Sequence, residues 1–413
     1  MCTNNANKNN LLNKNDMDMK TKIQLFAAFL LLAVGALWLT SCSSEDAVQG
    51  SGNTESERVL LLSISTGQTI GSRAETNLTD AEKTIEDMTI GIFDANGNVR
   101  TIQSLEKDAS ATPATAGNGK FVISGTKAEA KIVTTGLQVG DSVVVAVNTK
   151  LNSTNAATFK AAKSVADFNK GNIDATSALT AASDGTTLSA TKLPKYGGAK
   201  LALSAPNSSE FKADVKVKNL VSKVTLAGLT PAFDANGPYK DASFTLSDIF
   251  LLNVPNTVDF STNAWTAQTV SYIHGSNVDG TGYTAATAKK AFLVKSSAAV
   301  NDYLYTLPNQ YTGANRQKTI LVLKGKFKKA DDPTGKSVYY PLALNAKYDN
   351  AGSATAVDDS TPFVTYPGRN YKCNVTIKTI GSDSPWQEAG PLTATVDVEV
   401  EKWTDVEQNT TFE

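Results

Sequence analysis

The chain has 413 residues, enough for two domains of ordinary size. Its 39 basic and 40 acidic residues balance to a net charge of −1, which excludes the electrostatic footprint of a nucleic-acid or anionic-membrane binder. One histidine and three cysteines leave little material for metal or nucleophilic chemistry, and no H-E-x-x-H, C-x-x-C or phosphate-loop pattern occurs.

Residues 1–18 are polar and Asn-rich, and Met17 or Met19 serves equally well as a start. From Met19, Lys20 and Lys22 precede an apolar run, 23–38, broken only by Gln24. The run is short for a membrane span, and residues 1–41 have the form of a signal peptide. It ends in Leu39-Thr40-Ser41-Cys42, which looks like a bacterial lipobox, with Cys42 as the expected lipid-attachment site. Cys2 is then lost with the leader and Cys42 acylated, so Cys373 stands alone and no intramolecular disulfide forms. In Tyr371-Lys372-Cys373-Asn374-Val375-Thr376-Ile377, Cys373 alternates with apolar residues and reads as a small buried hydrophobe.

Residues 47–57 are Gly/Ser/Glu-rich and read as a tether. Val59-Leu60-Leu61-Leu62-Ser63-Ile64 is a short apolar run suited to a buried strand. A polar stretch leads to Ile70-Gly71-Ser72-Arg73-Ala74-Glu75, expected to be extended, exposed and open to proteolysis. A strand follows at 88–93, closed by the turn Asp94-Ala95-Asn96-Gly97-Asn98. The Phe-Asp-Ala-Asn-Gly motif recurs at 233–237 and predicts a second Asn-Gly hairpin. Read as calcium loops, both clusters lack the glutamate of an EF-hand's twelfth position. The run 143–147 is apolar on both faces and predicts a central strand. Ser164 caps a short predicted helix.

The Ser/Asn/Lys-rich stretch 205–212 is the expected junction between an amino-terminal domain, 74–212, and a carboxy-terminal one, 213–413. Alternation resumes at 215–217 and 224–226, then at 302–307, 320–327, 338–344 and 371–377. The Asn/Gly/Thr-rich span 274–287 reads as a loop carrying a solvated His274. The chain ends on a strict period of two: Leu392, Ala394, Val396, Val398 and Val400 on one face, Thr393, Thr395, Asp397, Glu399 and Glu401 on the other. The expected fold class is all-β with minor helix, as two consecutive β-sandwich domains of Greek-key or transthyretin-like type.

Several stretches together resemble the fimbrillins, major subunits of Bacteroidetes type V fimbriae. They are the run 143–149, Lys318-Thr319-Ile320-Leu321-Val322-Leu323-Lys324-Gly325-Lys326-Phe327, Tyr339-Tyr340-Pro341-Leu342, Arg369-Asn370-Tyr371-Lys372, and the ending from Val400-Glu401-Lys402-Trp403 through Val406-Glu407-Gln408-Asn409 to Phe412. With the lipobox and the acidic Ser43-Ser44-Glu45-Asp46, similar to a surface-lipoprotein sorting signal, they occur in the family's order. The resemblance implies an exported outer-membrane lipoprotein precursor that becomes part of a cell-surface fimbrium. A trypsin-like, arginine-specific protease would cut at Arg73–Ala74. That cut would remove the pro-segment 42–73 and its strand (Val59, Leu60, Leu61, Leu62, Ile64), leaving an apolar groove. Cutting at Arg58 would open none. The donor strand of an identical or related subunit, Leu392, Ala394, Val396, Val398, Val400, Trp403 and Val406 within 392–413, would fill the groove and propagate a head-to-tail polymer.

With so little material for such chemistry, no cofactor and no catalytic or metal residue is expected. The resemblance implies adhesion to a host or bacterial receptor that no stretch of this sequence identifies. The alternatives are a minor tip or anchor subunit, and a monomeric surface lipoprotein binding glycan or host protein. A paired-carboxylate enzyme, whose residues meet only in space, is the remaining class.

Overall fold

Alternating apolar and polar residues build two regions of sheet in this computed structural model. It describes residues 56–66, 78–109, 119–124, 127–174, 192–261, 271–275, 286–289, 293–311, 317–332, 334–348, 353–357, 361–386 and 394–402. In the first region ten strands share one sheet. Their order is Lys218–Asn219, Lys195–Lys200, Ser142–Val147, Asp87–Phe93, Val99–Lys107, Lys120–Ser124, Lys127–Thr135, Glu57–Ser65, Glu210–Lys216 and Ala202–Leu203. Ser142–Val147 is central, as its double-sided apolar pattern predicts: Val143, Val145 and Val147 enter one core, Val144 and Ala146 another. The Asp94 turn joins Asp87–Phe93 to Val99–Lys107 as expected, with Asp94 Oδ1 accepting the amides of Asn96 and Asn98. Ser164 accepts the Asp167 amide and caps the helix Val165–Phe168.

The sheet folds over on itself, so that Leu60, Ile90, Phe121, Ile132, Val145 and Phe211 share one core. Where Lys195–Lys200 comes against Glu210–Lys216, a Cβ on Gly197 would collide with the Lys216 carbonyl, so only glycine fits. The opening strand, Glu57–Ser65, gives this core Leu60, Leu62 and Ile64, while Leu61 is 43% exposed.

In the second region two four-stranded sheets face each other. One has the order Tyr303–Thr306, Ser222–Pro231, Arg369–Ile377, Ala394–Lys402, and the other Val294–Ser296, Ser243–Leu252, Ile320–Lys328, Lys336–Ala343. Val224, Leu226, Tyr371 and Val375 from the first meet Ile249, Leu251, Leu321 and Leu323 from the second in a shared core. This is β-sandwich packing, and the fold class is all-β.

Two local expectations are corrected. The Asp234 turn forms, with the Gly237 amide on the Asp234 carbonyl at 3.0 Å, but it makes no hairpin. Its flanking strands, Ser222–Pro231 and Ser243–Leu252, belong to opposite sheets, so the same Asx turn that closes a hairpin at Asp94 crosses the sandwich here. His274 is not solvated. It ends the strand Tyr272–His274 at 2% exposure, edge-on to Trp386 at 5.1 Å, and Nδ1 accepts the Asn253 amide at 3.1 Å. Burial pushes its imidazole down to about 4, so it stays neutral. Within the expected loop 274–287, Thr287 lies in a further strand, Ala286–Lys289.

A buried polar clasp joins the two regions. Thr79 and Glu82 form a capping box on the short helix Asp80–Lys83, and the Thr79 amide donates to Glu82 Oε2 at 2.8 Å. Glu82 Oε1 accepts from the Tyr305 hydroxyl at 2.6 Å and from Lys223 Nζ at 3.1 Å, both carried by the second region. Burial raises the affinity of Glu82 for its proton, but the Tyr305 bond, the Thr79 amide and the Lys223 charge outweigh it and keep the carboxylate ionised. Nearby, Lys195 is 1% exposed and donates to the Thr84 and Leu193 carbonyls at 3.1 and 2.9 Å. Burial pushes its ammonium down to about 7, partly offset by the Glu82 charge.

Because Lys195 is depressed in the folded state, the unfolded chain binds more protons above pH 7, and stability rises with pH there. The slope from this group is at most about 1.4 kcal/mol per pH unit. Above roughly pH 8.5 the buried Cys373 thiol, pushed up to about 12 by burial, acts in the opposite direction. Urea unfolding between pH 7 and 8.5 should show the rise in the native chain and lose it in Lys195→Met. In the same assay Leu62→Ala should cost about 2–5 kcal/mol, and Leu61→Ala should stay within about 0.5 kcal/mol.

Candidate functional site

The candidate site is the seat of the opening strand, built from residues far apart in sequence. On one side Glu57–Ser65 runs antiparallel to Lys127–Thr135, pairing Leu60 with Ile132, Leu62 with Ala130 and Ile64 with Ala128. On the other it runs parallel to Glu210–Lys216, pairing the same three residues with Phe211, Ala213 and Val215. The Val217 amide donates to the Ser65 carbonyl at 2.9 Å and ties down the strand's end. The strand is therefore internal, with both backbone edges in use. Its floor is apolar: Leu60, Leu62 and Ile64 are 0, 2 and 0% exposed. Gross burial of each such side chain contributes about 1.5–3 kcal/mol.

The outer face of the seat is polar and ordered by sign. Leu61 lies opposite Lys131 and Lys212, Ser63 opposite Glu129 and Asp214, and Ser65 opposite Lys127 and Lys216. The two flanking strands escaped the sequence reading apart from its 215–217 fragment. Their signal is the alternation of Ala128, Ala130 and Ile132 with charged residues, and of Phe211, Ala213 and Val215 likewise. Alanines carry little hydrophobic weight, which hides the first of these patterns.

The closing strand, Ala394–Lys402, has the same length, nine residues, as the opening strand. It pairs antiparallel with Arg369–Ile377, which sets Val396, Val398 and Val400 opposite Val375, Cys373 and Tyr371. It is the last strand of its sheet, with one backbone edge paired. Ala394 is buried and Asp397 exposed. Cys373 is fully buried, and its raised thiol is no nucleophile at neutral pH, in line with its reading as a small hydrophobe. The remaining expected site residues (Cys42, Arg73, Ala74, Leu392, Trp403 and Val406) lie outside the described residues. Among the described residues no helix is long and apolar enough to cross a membrane.

The sequence matches no protein-family model, and no curated protein matches it. Solved structures do resemble it. A proposed cell adhesion protein from Bacteroides eggerthii superposes with a TM-score of 0.58 at 16% identity, covering 86% of this chain and 98% of its own. A second, from Parabacteroides distasonis, gives 0.57 at 16% identity, over 84% and 100%. A fimbrilin from Porphyromonas gingivalis gives 0.57 at 17% identity, over 84% and 99%. At such identities the likeness is one of fold, and it spans nearly the whole of each relative. The chain has the fold of the Bacteroidetes fimbrillins.

Proposed function

We propose that this protein is a structural subunit of a surface fimbria that polymerises by protease-triggered strand exchange and serves adhesion. The observation that carries the reading is the position of the opening strand. It is an internal strand of the first region, yet its only covalent link to the rest of that region passes through Arg73. Cutting after Arg73 would separate the strand covalently from every other described strand of that region. The vacated seat would expose Ala128, Ala130, Ile132, Phe211, Ala213 and Val215, together with two unpaired backbone ladders. Such a groove is a template for an incoming strand. The closing strand of another copy supplies the matching length and the matching apolar spacing in Val396, Val398 and Val400.

In this reading the first region, whose sheet runs past the junction expected at 205–212 to Lys218–Asn219, is the acceptor, and the second region carries the donor within 392–413. Donor and acceptor are different surfaces, so the contact is heterologous and open-ended, as a filament requires. The same proposal includes lipid attachment at Cys42 on the outer-membrane precursor. Its partners are related subunits, an arginine-specific protease, and an adhesion receptor on a host or bacterial surface. The fold neighbours are named for adhesion and fimbriae and not for catalysis, in keeping with a structural role.

Recombinant 43–413 treated with trypsin should yield a mature chain beginning at Ala74, followed by SDS-resistant ladders and filaments in the electron microscope. Arg73→Gln should block both. A chain truncated before Leu392 should be cut and stay monomeric. A cut native chain that stays monomeric would instead favour a tip subunit or a resident surface lipoprotein.

A further inference from the structure

We propose that charge on the rim of the opening strand's seat selects the register in which a second copy's closing strand enters it. Asp397 comes to lie between Lys131 and Lys212, and Glu401 between Lys127 and Lys216. This rests on the strand-exchange reading and adds to it a definite alignment of the two strands.

The rim has three charged rungs of alternating sign: two lysines flanking Leu61, two acids flanking Ser63, and two lysines flanking Ser65. The opening strand sets the uncharged Leu61, Ser63 and Ser65 on these rungs, and at the first it leaves an exposed leucine between two lysines. The closing strand carries Asp397, Glu399 and Glu401 at every second position, opposite in sequence phase to its valines. Entering in the same direction as the opening strand, with Val396, Val398 and Val400 replacing Leu60, Leu62 and Ile64, it sets Asp397 and Glu401 on the two lysine rungs. Residues 394–401 then span positions 58–65, eight of the seat's nine positions.

Other alignments do worse. Slipping the donor by two residues, with Ala394, Val396 and Val398 on the floor, moves Asp397 between Glu129 and Asp214, leaves Thr395 to Lys131 and Lys212, and sets only Glu399 on a lysine rung, between Lys127 and Lys216. Slipping the other way puts Lys402 on the apolar floor in place of Ile64. Reversing the strand with the same three valines inward leaves Glu399 alone on a lysine rung and sets Asp397 between the acids. The proposed register is the one that sets two acids on lysine rungs without burying Lys402, whose charge would lack a partner there. Its one mismatch is Glu399, which falls between Glu129 and Asp214 where Ser63 stood.

That mismatch gives the test a sign. Full chains cut at Arg73 are followed by light scattering at low salt. Asp397→Lys and Glu401→Lys should each slow polymerisation about threefold or more, as rim charges do, whereas Glu399→Lys should accelerate it. The differences should collapse near 1 M salt, where the screening length falls to about 3 Å. Lys131→Glu with Lys212→Glu should also slow assembly, and adding Asp397→Lys should restore it. This rescue lies outside the donor's own home sheet, so loss of folding cannot mimic it. If Asp397→Lys accelerates and Glu399→Lys slows, the donor sits in the slipped or the reversed register and the proposal is wrong. Equal rates for all variants would overturn it too, leaving the polymer without a charged register. If the native chain cut at Arg73 stays monomeric, strand exchange itself fails and the register falls with it.

Discussion

An internal strand has to satisfy two hydrogen-bond ladders and one apolar floor at the same time, and Glu57–Ser65 does so with partners from distant parts of the chain. It joins Lys127–Thr135 to Glu210–Lys216, which would otherwise be two unpaired edges over an open core. The first region cannot close without something in that position. A strand in such a place normally comes from the body of a domain. Here it comes from the end of the described chain, ahead of a segment containing Arg73. That combination is what the proposed cleavage would exploit.

The two regions of sheet do not share this dependence. The second is a sandwich whose closing strand lies at a sheet edge, so removing it would expose one ladder and not two. Between them the clasp at Glu82 holds the short helix Asp80–Lys83. Its carboxylate is buried but fully engaged by Tyr305, Lys223 and Thr79, a network that costs little only while every member is present. It anchors the segment just downstream of residues 73–74 to both regions. Release of the opening strand would leave this anchor in place.

Much of the local structure was legible in advance, for reasons that particular residues make plain. Val143 to Val147 could only be a strand covered on both faces, because no exposed strand carries five consecutive apolar side chains. The Asp94 turn and the Ser164 cap follow from side chains that bond their own backbone. Ser243–Leu252, a ten-residue strand, went unread. Its ladder slips between Leu246 and Asp248, so the alternation of Phe244 and Leu246 changes phase before Ile249 and the pattern never accumulates. His274 was misread because Gly275, Ser276 and Asn277 follow it and carry a loop signal. The burial comes from Trp386 and Asn253, neither of them a neighbour in sequence.

By itself the sequence determined the all-β class, the apolar run of the first strand, the alternation of the last, the buried Cys373 and the local turns. Each of these depends on the spacing of side chains along a single segment, within reach of short-range physics. Only the tertiary structure decided that the opening strand is internal, which strands flank it, that Asp234 crosses a sandwich while Asp94 closes a hairpin, and that three rungs of charge line the seat. Pairing between strands depends on which distant edges are left free once every other ladder is satisfied. That condition belongs to the whole chain at once.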